Sequence, residues 1–265
     1  MLNYTDDFFK SLKKAGGYYQ CPKDEKGNFL GPLVGYAGTY DDNGQKKSYV
    51  GEIYANLAKI DENPLLLQTC ANQLLFRCNN ATLPRIFPKI DAFCAAPIGG
   101  YSFATALGLR ICRDDPDWRV KVIKAEKRIT SFATQDSREK SELIFGRHSV
   151  LKGNRYVIVE DVCNNFSTTK DLMKLIKSYG GEVLAIFCLL NRSLEYDDIY
   201  YPDKINSSEL SGLFPVSIFS VARKKIQEYR QDDPHVAQEI EKGNVIWKPK
   251  DHWPQLMRAM DENKK

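Results

Sequence analysis

The chain has 265 residues, with 38 Lys and Arg against 34 Asp and Glu for a formal net charge of +4, and 43% of it is hydrophobic; that is enough for one large α/β domain or a core with appended elements. Charged residues are 27% of the chain and mixed in sign, without the like-charge runs of a disordered tail, and a pI near 8.5 falls short of a nucleic-acid footprint. No apolar run approaches the roughly 18 residues a membrane span needs, and acidic residues stand where a signal peptide needs a basic flank, so a cytoplasmic protein with neither a membrane nor a nucleic-acid partner is expected.

Three zones are read in chain order: residues 1–88, 89–192 and 193–265. The first opens with an amphipathic helix in which Phe8, Phe9 and Leu12 have helical spacing. A stretch rich in Gly and Tyr follows, and Asp42-Asn43-Gly44 predicts a hairpin turn. A second helix is predicted over about 63–78, with Leu65, Leu66, Cys70 and Leu74 on one face. The cysteines Cys21, Cys70, Cys78, Cys94, Cys112, Cys163 and Cys188 are odd in number and mostly set among apolar neighbours, without CxxC spacing. They read as reduced, buried thiols rather than as a zinc or disulfide framework.

The middle zone alternates short apolar runs with helical patterns, which predicts a parallel sheet with crossover helices. Residues 90–96 form an apolar run ending at Pro97-Ile98-Gly99-Gly100, with a helix predicted over 101–111. A strand, a glycine-containing loop and a helix N-terminus can present backbone N–H groups to an anion, although a tight turn would need the same glycines. A stronger signal is YVIVEDVCNNFSTT at 156–169. A buried strand delivers the adjacent acids Glu160 and Asp161 to its C-terminal end, and a polar loop leads into a helix predicted over 169–179. Ligands of open α/β sheets bind outside the carboxyl ends of strands. Two carboxylates there suit vicinal hydroxyls, and the loop 164–168 suits a phosphate, so a sugar phosphate meets both demands. Capping of the next helix is the other reading of the acidic pair, and the residues leave both open.

VIVEDV followed by a loop and an amphipathic helix resembles the phosphoribosyl-pyrophosphate motif of the type I phosphoribosyltransferases, and the order of elements is most similar to orotate phosphoribosyltransferase. AAPIGGYSFATALGLRI resembles that family's pyrophosphate loop, VIKAEKRI its strand leading into the catalytic loop with a Lys-x-x-Lys pair, and EVLAIFCLLNRS the strand after the motif helix. The resemblance covers about 90–193 and implies a parallel α/β sheet flanked by helices, with an N-terminal hood-like region and a C-terminal extension over 193–265.

The implied activity is transfer of a 5-phosphoribosyl group from phosphoribosyl pyrophosphate to orotate or a related pyrimidine-like base, a pentosyl transfer of nucleotide biosynthesis that uses Mg²⁺. Residue by residue, the resemblance implies that Glu160 and Asp161 hold the ribose hydroxyls, with Asp161 also responding to charge at the anomeric carbon. Asn164, Asn165, Phe166, Ser167 and Thr168 would form the 5′-phosphate loop. Ile98, Gly99 and Gly100 would lie against pyrophosphate, with Lys124, Lys127 and Arg128 neutralising it. Mg²⁺ would enter with the substrate near Glu160 and Asp161. Residues 128–147 would be a mobile lid, and a homodimer is implied. The tyrosines Tyr18, Tyr19, Tyr36, Tyr40, Tyr49 and Tyr54 suit either a base pocket or a dimer interface.

Three departures stand out. Phe166 replaces a usual glycine of the phosphate loop, and if that position has positive φ a phenylalanine costs about 1 kcal/mol or more there. Arg128 follows the second lysine where orotate-type members carry a histidine, and an arginine is no general acid near neutral pH. Gly99 falls where some relatives place a lysine. These leave two alternatives: a non-catalytic sensor or regulator binding a ribonucleotide or phosphoribosyl ligand, and another enzyme on the same scaffold, such as a nucleotide-cleaving hydrolase. In the last zone, 214–221 reads as an apolar run, 222–229 as helix-like, and Trp247 and Trp253 as packing residues. His235 and His252 read as surface or capping residues.

Overall fold

A computed structural model describes residues 4–80, 90–131, 140–202 and 214–263. The chain begins with α1 (Tyr4–Lys14), β1 (Tyr18–Gln20), β2 (Leu33–Asp42), β3 (Gln45–Gly51), β4 (Ile53–Ala55), α2 (Ala58–Asp61) and α3 (Pro64–Asn80). It continues through β5 (Ala92–Ala95), α4 (Gly100–Asp114), β6 (Lys121–Lys124), β7 (Glu126–Ser131), β8 (Lys140–Ile144), β9 (Arg155–Cys163), α5 (Ser167–Ser178) and β10 (Glu182–Asn191). The last elements are β11 (Ile199–Tyr200), β12 (Val216–Arg223), α6 (Ala237–Glu241), β13 (Val245–Ile246) and α7 (Trp253–Glu262). Two compact units result, one of Met1–Phe8 with Asp61–Lys224, the other of Phe9–Ile60 with Lys225–Lys265.

The larger unit is built on a six-stranded sheet in the order β11-β12-β10-β9-β5-β6. All neighbours are parallel except the edge pair β11 and β12. This is the parallel α/β sheet flanked by helices expected from the sequence. Central strands are covered on both faces and so read as continuous apolar runs: Phe93, Ile158 and Phe187 are fully buried, and Leu172 and Ile176 of α5 join the core beside β9 and β10. Helix α3 buries Leu67, Cys70, Ala71, Leu74 and Cys78, whereas Leu65 is 78% exposed. The apolar face is thus rotated from the predicted one, because Leu67, Ala71 and Cys78 continue the stripe that Leu65 does not reach.

Helix α4 leads from β5 to β6 on one side, and α5 from β9 to β10 on the other. Neighbours β5 and β9 therefore send their connections in opposite directions, which opens a crevice at their carboxyl ends. After β6 the chain leaves this sheet, and β7 and β8 form a separate antiparallel ribbon. That ribbon flanks the expected lid, whose residues 132–139 lie outside the described residues.

The smaller unit contains the hairpin β2–β3, closed by Asp42↔Gln45 with Asn43 at φ 53° and Gly44 at φ 82°. Both central residues need positive φ, which is why Asn-Gly marks this turn. Strand β13 adds parallel to β2. Tyr18, Tyr19, Tyr36 and Tyr40 are buried; the Tyr19 and Tyr36 hydroxyls donate to the carbonyls of Pro32 (2.7 Å) and Ile53 (2.6 Å). Trp253 is buried, donating through Nε1 to Gly16 O at 3.0 Å. Trp247 lies so close to Gly35 that a Cβ there would meet its ring at 2.8 Å.

Residues 222–229 are not helical. Ala222 and Arg223 end β12, paired with Leu190 and Asn191 of β10, and Tyr229 bridges to Val50. Sheet pairing overrides local helical periodicity there. Six of the seven cysteines are buried, Cys112 being partly exposed. Among the described residues, no helix is long and apolar enough to cross a membrane.

Candidate active site

The crevice between β5 and β9 gathers several of the residues singled out from the sequence. Ala95 pairs with Val159, and Ala96 N–H donates to Val159 O at 2.8 Å. The turn 97–99 and the start of α4 therefore stand level with Glu160 and Asp161. A Cβ on Gly99 would lie 2.3 Å from the Asp161 carboxyl carbon, and one on Gly100 would lie 2.3 Å from Val159 O. Glycine at both positions lets the loop lie directly on β9. Ile98, in contrast, is 79% exposed.

Glu160 is buried and Asp161 is partly exposed. Asp161 N–H donates to Glu160 Oε1 at 3.1 Å, and Val162 N–H donates to Asp161 Oδ1 at 2.8 Å. Burial, reinforced by the neighbouring Asp161 charge, pushes the Glu160 carboxyl well above the ordinary carboxylate range. A third acid, Asp61 in the same unit, was not singled out in the sequence. Burial, followed by the Asp161 charge, pushes it up to about 6, and its Oδ1 is buried without a hydrogen-bond partner. No local pattern marks this residue, since it reaches the site through the fold from a hundred residues upstream.

The loop after β9 enters α5 through Phe166, whose φ of 59° and ψ of 19° are left-handed. Phenylalanine has no side-chain acceptor for the helix amides, and Asn165 Oδ1 accepts the Ser167 N–H at 3.1 Å instead. The Ser167 N–H is thus already taken, and the N-terminal end of α5, with the Ser167 and Thr168 hydroxyls, carries the partial positive charge common to helix N-termini.

The two lysines diverge. Lys124, at the end of β6, places its ammonium 5.1 Å from the centroid of Tyr101, whose hydroxyl donates to Ala125 O. Lys127 is on the ribbon and lines a cavity of about 640 Å³ with Ser141, Glu142, Ser167 and Thr168. Lys127 thus shares a space with the start of α5. Arg128 is held across the ribbon by Glu142, with Nε 2.8 Å from Oε1, an exposed pair of small energetic weight.

Two adjacent carboxylates without a third ligand match the way Mg²⁺ is usually held, through one or two carboxylates, waters and substrate phosphates. Of this pair only the partly exposed Asp161 is open to such an ion, since Glu160 is buried and held toward its neutral form. Among the described residues, no group of three or more His, Cys, Asp or Glu could hold a metal.

A family model described as phosphoribosyl transferase domain matches residues 56–224. The chain belongs to this family. Orotate phosphoribosyltransferase of Campylobacter hominis is 27% identical over 141 residues, 53% of this chain and 59% of that protein. The Campylobacter concisus protein of the same name is 26% identical over 141 residues, with the same shares. The match therefore spans little more than half the length of these relatives. Among solved structures, orotate phosphoribosyltransferase from Aeropyrum pernix is 17% identical, covering 81% of this chain and 92% of that one at a TM-score of 0.44. Adenine phosphoribosyltransferase from Saccharomyces cerevisiae is 14% identical, covering 82% and 99% at a TM-score of 0.46.

In this phosphoribosyl transferase domain the acidic pair, the glycine loop and the loop into α5 meet at one crevice, while Lys124 and Lys127 occupy different sheets. Tyr196 and Tyr200, which hold the Phe166 ring, follow β10 and were not singled out in the sequence.

Proposed function

We propose that the protein transfers a 5-phosphoribosyl group from phosphoribosyl pyrophosphate to a nucleobase, with orotate or a related pyrimidine-like base as acceptor. The observation that carries this reading is the Glu160–Asp161 pair at the carboxyl end of β9, bracketed by Gly99 on one side and by the loop into α5 on the other. One end of the crevice suits ribose hydroxyls and the other a phosphate.

A deprotonated ring nitrogen of the base attacks C1 of the ribose, forming the N–C bond, and pyrophosphate departs with the electron pair of the broken C–O bond. Positive charge grows on the sugar and negative charge on the leaving group. Glu160 and Asp161 hold the 2′- and 3′-hydroxyls, and the Asp161 carboxylate faces the growing positive charge. Asn164, Asn165, Phe166, Ser167 and Thr168 receive the 5′-phosphate. Ile98, Gly99 and Gly100 lie along pyrophosphate, and Lys124, Lys127 and Arg128 neutralise it. Bound Mg²⁺, carried in with the substrate beside Glu160 and Asp161, supplies further neutralisation of pyrophosphate. A homodimer is part of this reading, by resemblance to the family.

The test is incubation of the purified protein with phosphoribosyl pyrophosphate, Mg²⁺ and orotate, followed by chromatography. A nucleotide product supports the reading and identifies the base. Absence of product from folded protein, beside an active control enzyme, removes orotate. Tight phosphoribosyl pyrophosphate binding without turnover on any base would instead support a sensor.

A further inference from the structure

We propose that Tyr196 and Tyr200 are positioning residues for the 5′-phosphate loop, holding the Phe166 ring so that the first-turn amides of α5 are preset for a phosphate. This inference rests on the functional reading above.

Phe166 combines two features that seldom occur together. Its backbone is left-handed, with φ 59°, a region where a bulky side chain is disfavoured. Its ring is 3% exposed. The ring stacks on Tyr200, with centroids 4.9 Å apart and planes 14° apart, and meets Tyr196 edge-on at 5.4 Å and 81°. Tyr196 and Tyr200 are also edge-on to each other at 5.0 Å. Burying the ring contributes about 1.5–3 kcal/mol, which outweighs a left-handed cost of about 1–2 kcal/mol. A glycine would reach the same φ without strain and would leave the loop free to depart from it. Phenylalanine turns the same backbone conformation into an anchored one.

The clamp is itself fixed. Asn191, fully buried at the end of β10, donates through Nδ2 to the carbonyls of Tyr196 and Asp197, both at 2.9 Å. Ser193 Oγ accepts the N–H groups of Glu195 and Tyr196. The Arg223 guanidinium donates to Ser193 O at 2.6 Å and Asn191 O at 3.2 Å, and to the Asp197 carboxylate through Nε at 3.0 Å. Tyr200 is held in β11 against β12. The two rings therefore form a platform set by β10 and β12, and Phe166 transmits its position to α5, whose Lys170 N–H donates to Phe166 O at 2.8 Å. Without the platform, Phe166 would relax to negative φ and the first-turn amides would turn away from the phosphate.

The experiment compares wild type, Tyr200→Ala and Tyr200→Phe by calorimetric titration with ribose 5-phosphate and, separately, with pyrophosphate and Mg²⁺. Tyr200→Ala is expected to weaken ribose 5-phosphate by about tenfold or more, the order of one hydrogen bond to a charged group, while leaving pyrophosphate within about twofold. Tyr200→Phe keeps the stacking ring and is expected to match wild type. Equal ribose 5-phosphate affinity in Tyr200→Ala, or equal loss of both ligands, overturns the proposal. If Tyr200→Ala does not fold, Tyr200→Leu fills the space without stacking, and the same outcomes decide. A wild type that binds ribose 5-phosphate with unchanged affinity in the variant rejects only the clamp. A wild type that binds neither ligand rejects the functional reading and the clamp with it.

Discussion

The Asp161 carboxylate fills the space that a side chain on Gly99 would need: a Cβ built there would lie 2.3 Å from both its Cγ and its Oδ2. One residue of the turn after β5 thereby sets where the acid at the end of β9 can stand. The neighbouring Gly100 is confined by backbone instead, its Cβ position lying 2.3 Å from Val159 O.

These two glycines are expected to behave differently on substitution. In Gly99→Ala the partly exposed Asp161 side chain can swing aside, and the φ of −63° at Gly99 already suits alanine. The fold is retained with a Tm within about 3 °C of wild type, while kcat falls by about tenfold or more. In Gly100→Ala the clash is with a carbonyl of the central strand, and overpacking costs about 1–3 kcal/mol. Thermal unfolding and steady-state kinetics on both variants check the contrast; equal Tm losses would contradict it.

Asp161 and Lys127 are assigned direct roles in the proposed reaction, so Asp161→Asn and Lys127→Ala should each lower turnover by about tenfold or more with unchanged folding, as read by product formation and circular dichroism. Unaltered turnover in both would end the phosphoribosyl transfer reading for this site.

Asp61 titrates near 6 because burial disfavours its charge and Asp161 repels it, in that order. Replacing Asp161 by Asn removes the smaller cause alone. Carboxyl-carbon NMR titration should then show Asp61 moving down toward, without reaching, its ordinary value of 3.8. An unmoved Asp61 would mean that burial acts alone.

Glu160 has its pKa raised in the folded protein by burial and by Asp161. The folded state therefore holds this proton more tightly than the unfolded chain. The contribution to stability is fully present below the unfolded pKa and is lost as pH rises through the folded one. Glu160→Gln, neutral at every pH, should raise Tm at pH 8 and change it little at pH 4. Differential scanning calorimetry at the two pH values reads the sign; a lower Tm at pH 8 would show that ionised Glu160 is stabilised by its surroundings.

Most of the larger unit was legible because its signals are local. The short apolar runs at 90–96 and 156–159 read as covered strands, and the stripe of Leu172, Met173, Leu175, Ile176 and Tyr179 as a helix packed on one face. The same locality explains the hairpin at Asn43-Gly44, where the turn type selects the residues, and the acidic pair, which follows its strand without interruption. The helix-like 222–229 misled because β10 claims the backbone of Ala222 and Arg223, a contact about thirty residues distant in sequence.

Sequence pattern sufficed for the central strands β5 and β9, while the order of the candidate site segments and the oddity of a phenylalanine at position 166 came from the resemblance to the family. It did not reveal how that oddity is tolerated, because the ring's partners Tyr196 and Tyr200 come from beyond the next strand and are held there by Asn191 and Arg223. Nor did it bring Asp61 beside Asp161, or set Lys127 next to Ser167 instead of beside Lys124. Each of these rests on distance in space between residues far apart in the chain. Hydrophobic periodicity reports which face is covered, and long-range packing decides what covers it.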